Sequence, residues 1–291
     1  MIRIFKLALI SALALALAGC GGGDAEGEET LRVGLIPNQS PEEVEAEYQP
    51  LEDYLAEELG QPVEINVPIS YNAVVEAMTS GELDIAYFGA LTYVQAREQA
   101  DVEPLVTEVN PRTGTTKYHS AIIVPADSEI EDIKELEGTN FAFGSASSTS
   151  GSLYPSIMLA EAGIDYRTDF EEFTYTGGHD ATAQAVVNER VDAGGLEYRI
   201  LLDLVEEGVI DEDAYRVIEV SQPIEGYPWV VRGDLSDEFE EDVAEAYLSI
   251  DDPELLDLMR AEGYDRVTAE DYDFDEEQAR ELDLFNPQEL D

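Results

Sequence analysis

Four consecutive hydroxyl side chains, Ser147-Ser148-Thr149-Ser150, follow the run Phe141-Ala142-Phe143-Gly144 and precede Gly151-Ser152-Leu153-Tyr154-Pro155. An apolar strand that enters such a turn and leaves it as a helix gathers backbone N–H groups and hydroxyls where the helix dipole is positive. The result is an anion site built without formal charge. Capping a helix takes one hydroxyl, and this run exceeds that need. Tyr175-Thr176-Gly177-Gly178-His179-Asp180 repeats the pattern of strand, glycine turn and helix start, and a ring N–H of His179 can donate to an anion. Ile85-Ala86-Tyr87-Phe88-Gly89-Ala90 places aromatics at the carboxyl end of a third strand, the region where open α/β sheets bind ligands. Helix capping for His179 and core packing for the aromatics are the competing duties of these residues.

The elements that must hold these turns can be read from periodicity. Strands are expected at Leu31–Ile36, Val63–Ile69, Ile85–Gly89 and Leu105–Val109, and a helix over Pro41–Leu59, where Val44, Tyr48, Leu51, Leu55 and Leu59 recur at helical steps before Gly60. A second series follows: strands at Ser120–Val124, Asn140–Phe143, Glu172–Thr176, Val191–Ala193 and Arg216–Val220, with helices at Ile130–Leu136, Ser150–Ala162, Asp180–Glu189 and Tyr198–Glu206. Strands alternating with helices imply parallel α/β sheets. Two such series without a linker suggest two lobes joined by crossing strands, His119–Val124 outward and Tyr215–Ile224 on return, with a mostly helical acidic tail from Leu235.

Composition narrows the class. The 291 residues carry 66 Asp+Glu against 15 Lys+Arg, a net charge of -51, which excludes nucleic-acid binding through a basic surface. With 44% hydrophobic residues the chain is not a disordered polyanion. Of the basic residues only Lys6, Lys117 and Lys134 are lysine. So large and so evenly spread an acid excess suits a high-salt medium, where at 1 M the Debye length is about 3 Å and self-repulsion is screened. Arg3 and Lys6, the apolar run Leu7–Ala18 and Leu17-Ala18-Gly19-Cys20 read as a secretion signal over residues 1–19 with lipidation at Cys20, the sole cysteine. Residues 20–29 then form a glycine-rich acidic tether. Asp271-x-Asp273-x-Asp275 starts like a calcium loop, but Glu276 and Leu282 stand where glycine and glutamate are needed, so a solvated acidic helix start is expected. No metal or cofactor motif is evident.

Taken together, Ser70-Tyr71-Asn72-Ala73-Val74, Gly81-Glu82-Leu83-Asp84-Ile85-Ala86-Tyr87-Phe88-Gly89, Ser148-Thr149-Ser150-Gly151, Gly178-His179-Asp180 and Val191-Asp192-Ala193 resemble the phosphonate, phosphate and phosphite binding proteins of ABC importers, over about residues 31–248. The resemblance implies an α/β, two-lobed type II periplasmic-binding-protein fold, each lobe a mainly parallel sheet flanked by helices. Lobe 1 would take residues 30–120 plus 225–291, and lobe 2 residues 121–224. It implies a phosphorus oxyanion held by Ser148, Thr149, Ser150, His179 and Tyr71, with Phe88 and Tyr227 at further ligand-binding positions. It also implies partnership with an ABC permease and ATPase, a monomeric state, and no cofactor. Members that bind aminoethylphosphonate have Trp-Tyr-Gly where this chain has Tyr87-Phe88-Gly89, and an aspartate where it has Tyr227, two residues after Glu225. A further acidic position is not matched securely at Glu197, Tyr198 or Arg199. Phosphate, phosphite or a small alkylphosphonate therefore fits at least as well as an amino-bearing ligand.

Two other readings stay open at this stage. One keeps the fold but assigns another small anion, such as a sulfonate. The other is an extracellular hydrolase with Ser148 or Ser150 as nucleophile and His179 as base, although no Gly-x-Ser-x-Gly elbow or third member is present.

Overall fold

The computed structural model describes residues 30–285; the expected signal, Cys20 and the tether lie outside the described residues. The first sheet has the order β11-β4-β10-β3-β1-β2, from β1 (Leu31–Leu35), β2 (Val63–Asn66), β3 (Ile85–Tyr87), β4 (Val102–Val109), β10 (Pro228–Arg232) and β11 (Gly263–Arg266). The second has the order β7-β6-β8-β5-β9, from β5 (Ser120–Pro125), β6 (Asn140–Phe143), β7 (Glu172–Tyr175), β8 (Ala193–Glu197) and β9 (Tyr215–Val220).

Both sheets are mixed, which corrects the expectation of mainly parallel ones. β1 runs parallel to β2 and β3, and β6 parallel to β7 and β8. β10 is antiparallel to β3 and β4, β11 to β4, and β5 to β8 and β9. The physical reason is connectivity: β5 and β10 are entered directly from the segments between sheets, without the crossover helix that parallel neighbours require. Those two segments are bridged where Tyr118 and Ile224 exchange main-chain hydrogen bonds of 3.1 and 2.9 Å. The crossing itself thus lies just before β5 and just after β9, rather than within them.

Local chemistry explains the helices that frame the site. α1 (Pro41–Leu59) starts with Ser40 as cap and Pro41 in the first turn, buries Val44, Tyr48, Leu51 and Leu55, and stops at Gly60 in the left-handed region. α2 (Tyr71–Thr79) is capped by Ser70, and α3 (Ala90–Arg97) follows β3 through Gly89. In the second unit, α4 (Tyr154–Glu161) follows β6, the short α5 (Tyr166–Asp169) leads into β7, and α6 (His179–Val187) and α7 (Tyr198–Glu206) follow β7 and β8. Successive residues of β5 serve opposite faces of its sheet: Ile122 joins Phe141, Phe143 and Leu159, whereas Ile123 joins Val186, Leu196 and Ile200.

Several expected boundaries move. The helix expected over 130–136 shrinks to a 3₁₀ turn, Ile133–Leu136, and that expected from Ser150 opens with a π-helical turn, Thr149–Leu153, before α4. The tail is not all helix: it holds α8 (Asp237–Leu248), α9 (Pro253–Leu258), strand β11 and α10 (Asp273–Glu281). Nor is Asp275 solvated. Asp271 accepts a hydrogen bond from the N–H of the cap residue Thr268, Asp273 pairs with Arg97, and Asp275 is buried facing Tyr154.

Candidate functional site: a donor-lined seam between the strand ends

Where β6 ends, the hydroxyl turn is pulled tight. Ser148 caps the π-helical turn, its Oγ accepting from Gly151 N at 3.0 Å, and Gly144 N donates to Gly151 O at 2.9 Å. A Cβ on Gly151 would stand 2.8 Å from Ser148 Oγ, 3.1 Å from Gly144 Cα and 3.2 Å from His179 Cε1, so only glycine permits this approach. Widened turns of the π type concentrate at functional sites.

Thr149 reaches the opposite unit. Its Oγ1 accepts from Leu91 N, at the start of α3, at 2.9 Å, and a Cβ on Gly89 would come within 2.8 Å of the same oxygen. His179 N donates to Asn38 O at 3.0 Å, a second tie between the units.

His179 is buried, and burial lowers its pKa to about 4. The main-chain N–H of Glu197 donates to its Nδ1 at 3.2 Å, which places the ring proton on Nε2. Nε2 has no partner among the described residues, and neither do Ser147 Oγ, Ser150 Oγ, Tyr118 Oη or Arg199 Nη1. Tyr118 Oη lies by Ser150, without the geometry of a hydrogen bond, and Tyr71 Oη lies by Ser148. Burial raises the pKa of both tyrosines, which keeps their protons available for donation.

One wall of the seam is aromatic. The Tyr227 ring stacks on Tyr87 with centroids 5.3 Å apart and meets Tyr118 at 5.1 Å. Tyr227 gives its own proton to Glu197 Oε2, so it positions its neighbours and shapes the seam. Phe88 is fully buried in the apolar cluster of the first unit, which also holds Tyr71 and Tyr227, and it is its neighbour Gly89 that meets Thr149. The structure thus brings Tyr71, Ser148, Thr149, Ser150, His179 and Tyr227 to one seam, and Phe88 is buried beside Gly89 with no polar group to offer a ligand.

Three further residues join this set. Arg199 Nε binds Glu197 Oε1 at 2.8 Å, and Arg199 Nη2 binds Glu108 Oε1 at 3.1 Å, which Tyr87 Oη also approaches at 3.3 Å. Glu108 had no local signal, because a buried acid inside a strand is visible only through its partner. Glu197 and Arg199, unresolved candidates for an acidic position in the sequence, are fixed by β8 running to Glu197 rather than ending at Ala193.

Nothing in the seam is arranged as a hydrolytic triad. Nδ1 of His179 faces a main-chain donor where a triad has a carboxylate, and Nε2 carries the proton that a general base must lack. Among the described residues no group of acidic, histidine or cysteine side chains is placed to hold a metal.

Two mixed α/β sheets, crossed twice by the chain and meeting at their strand ends, define the type II periplasmic-binding-protein class. The chain belongs to the ABC transporter, phosphonate, periplasmic substrate-binding protein family, whose model matches residues 33–272. It is 33% identical over 205 residues to a phosphate-import protein, PhnD, of Mycolicibacterium smegmatis, an alignment covering 65% of this chain and 64% of the relative. A probable phosphite-binding protein, PhnD1, of Prochlorococcus marinus is 26% identical over 270 residues, covering 87% and 90% of the two chains. The solved structure of PhnD1 from that species with methylphosphonate superposes with a TM-score of 0.78 at 26% identity, covering 88% and 98%. A binding component of a phosphonate transporter from Pseudomonas aeruginosa gives 0.79 at 22% identity, covering 90% and 87%, a likeness of fold. The chain is therefore an extracytoplasmic substrate-binding protein of an ABC transporter, a binding role rather than an enzymatic one.

Proposed function

We propose that the seam holds one compact phosphorus oxyanion (phosphate, phosphite or a small alkylphosphonate) through Ser148, Thr149, Ser150, His179 and Tyr71, with Tyr227 as a positioning residue. The observation that carries this reading is the set of buried donors without a partner among the described residues, above all His179 Nε2 and Ser150 Oγ. Buried polar atoms are nearly always paired, and hydroxyls, phenols and a neutral N–H gathered in one place call for a ligand made mostly of acceptors. The negative protein and the negative ligand are compatible: fixed dipoles act over a few ångströms, whereas surface carboxylates are screened by salt.

Transport follows from closure. Lobe 1, residues 30–120 plus 225–291, and lobe 2, residues 121–224, would pivot at the Tyr118–Ile224 bridge, and the ligand would favour the closed form that the permease and ATPase recognise. Glu206 and Asp203 on α7 bind Arg112 at 2.9 and 2.6 Å, and Arg260 lies 3.5 Å from Asp203. These ion pairs join the two lobes beside the seam. Outside the described residues, the sequence supports a signal over residues 1–19 and a lipid anchor at Cys20, and the family resemblance supports a monomer.

The test is calorimetric titration in multimolar salt with phosphate, phosphite, methylphosphonate, sulfate and an alkylsulfonate. Micromolar or tighter binding of a phosphorus anion, with the sulfur anions silent, is the expected result. Preference for the alkylsulfonate, or no heat from any of the five, overturns the reading.

A further inference from the structure

Glu108, Arg199 and Glu197 form a buried row of charges that spans the two units, with side-chain exposures of 4%, 8% and 0%. Stability alone does not account for it, since apolar replacements for buried ionic triads are often neutral or stabilising. Its location is more telling. Glu197 is joined directly to the donor set: its main-chain N–H fixes His179, and its carboxylate takes the Tyr227 proton. The Tyr227 ring lies against Gly89, the residue that meets Thr149.

A carboxylate left bare in such a place would draw in a cation. A ligand whose anionic head is followed by an ammonium arm would satisfy it as the second half of a zwitterion. Here the protein supplies the cation itself, because Arg199 Nε occupies one oxygen of Glu197 while Tyr227 occupies the other. The remaining Nη1 is buried with no hydrogen-bond partner among the described residues, and the guanidinium charge would repel an ammonium group brought beside it.

We propose that Arg199 is the specificity-determining residue of this receptor, restricting it to oxyanions whose substituent carries no positive charge. The inference rests on the phosphorus-oxyanion reading above and narrows its substrate class. Neutral donors fix the head group, and the internal ion pair filters the arm.

The probes are ethylphosphonate and 2-aminoethylphosphonate, which differ only by the ammonium group. The native protein should bind the first at least tenfold more tightly. Glu108→Gln with Arg199→Met removes one charge of each sign and frees Glu197, and should shift that ratio at least tenfold toward the amino compound while ethylphosphonate still binds. Arg199→Lys, which keeps the charge, should leave the preference for ethylphosphonate in place. Equal affinities in the native protein overturn the proposal without any variant, which keeps it testable should the double variant not fold. An unchanged ratio in a folded double variant overturns it as well. Loss of the oxyanion reading looks different: the native protein would then bind neither phosphonate, phosphate nor phosphite.

Discussion

The two units present the same local device, a strand that exits into a turn and a helix, and use it differently. In the second unit the exits from β6 and β7 carry hydroxyls and a histidine whose protons are free to be given away. In the first unit the exit from β3 carries apolar bulk, glycine and a helix N-terminus whose N–H is given to Thr149. Polar residues can be spared at the second unit's exits because its core is secured elsewhere, by separate apolar clusters on both faces of the sheet. The contrast teaches that one topology can supply both the grip and the wall, with side-chain chemistry deciding which.

The largest effect that would sharpen this comparison lies on the wall. Phe88→Ala should cost about 3–5 kcal/mol of stability, as truncation of a buried phenylalanine does, yet leave the anion affinity of the folded fraction within about threefold, or ~0.7 kcal/mol. A chemical denaturation series paired with calorimetry separates the two, and a large affinity loss would return Phe88 to the site. On the grip, Ser148→Ala with Thr149→Ala should weaken anion binding at least tenfold, about 1.4 kcal/mol. Unchanged affinity there would reduce the turn to a helix cap.

At the seam, Asp275 is buried facing Tyr154, and burial raises its pKa to about 7. The native state therefore holds a proton that the unfolded chain releases at lower pH. Stability from this group is full below about pH 4 and falls as pH rises toward 7. Asp275→Asn should abolish that slope, raising the thermal midpoint at pH 8 by an amount on the order of a few kcal/mol in stability and by less than half of that at pH 5. An equal shift at both values would mean that Asp275 is not titrating in this range.

The smallest effect concerns closure. Asp203→Asn removes the carboxylate shared by Arg112 and Arg260 and should weaken anion binding a few-fold, roughly 0.5–1 kcal/mol, most visibly at low salt. A salt-independent loss would place Asp203 in folding rather than in closure.

Much of this arrangement was legible in the sequence, because the site is made of contiguous turns. Ser147 to Ser150 and Gly177 to His179 each lie within one strand exit, so type and spacing alone bring them forward. What stayed hidden depends on packing between distant segments. β8 begins at Ala193 and runs through Gly194 and Gly195, residues that argue against a strand. They are there because helices press on both faces: a Cβ on Gly194 would stand 2.9 Å from Val186, and one on Gly195 2.4 Å from Pro155. A strand expected at Val191–Ala193 ends four residues short of Glu197, so the pairing of Glu197 with Arg199 and Glu108 has no local signature. β10, opening on Pro228, and β11, an edge strand with Asp265 and Arg266 exposed, likewise carry weak local signals.

The central claim is that neutral donors hold the anion, and His179 reports on it most directly. Nitrogen-edited NMR of the imidazoles, with His119 removed by His119→Gln to leave a single ring, should show a neutral Nε2–H tautomer from pH 5.5 to 8 whose proton shifts when methylphosphonate is added. A ring that titrates near its ordinary value of about 6.5, or an Nε2–H signal unmoved by saturating anion, would contradict the account.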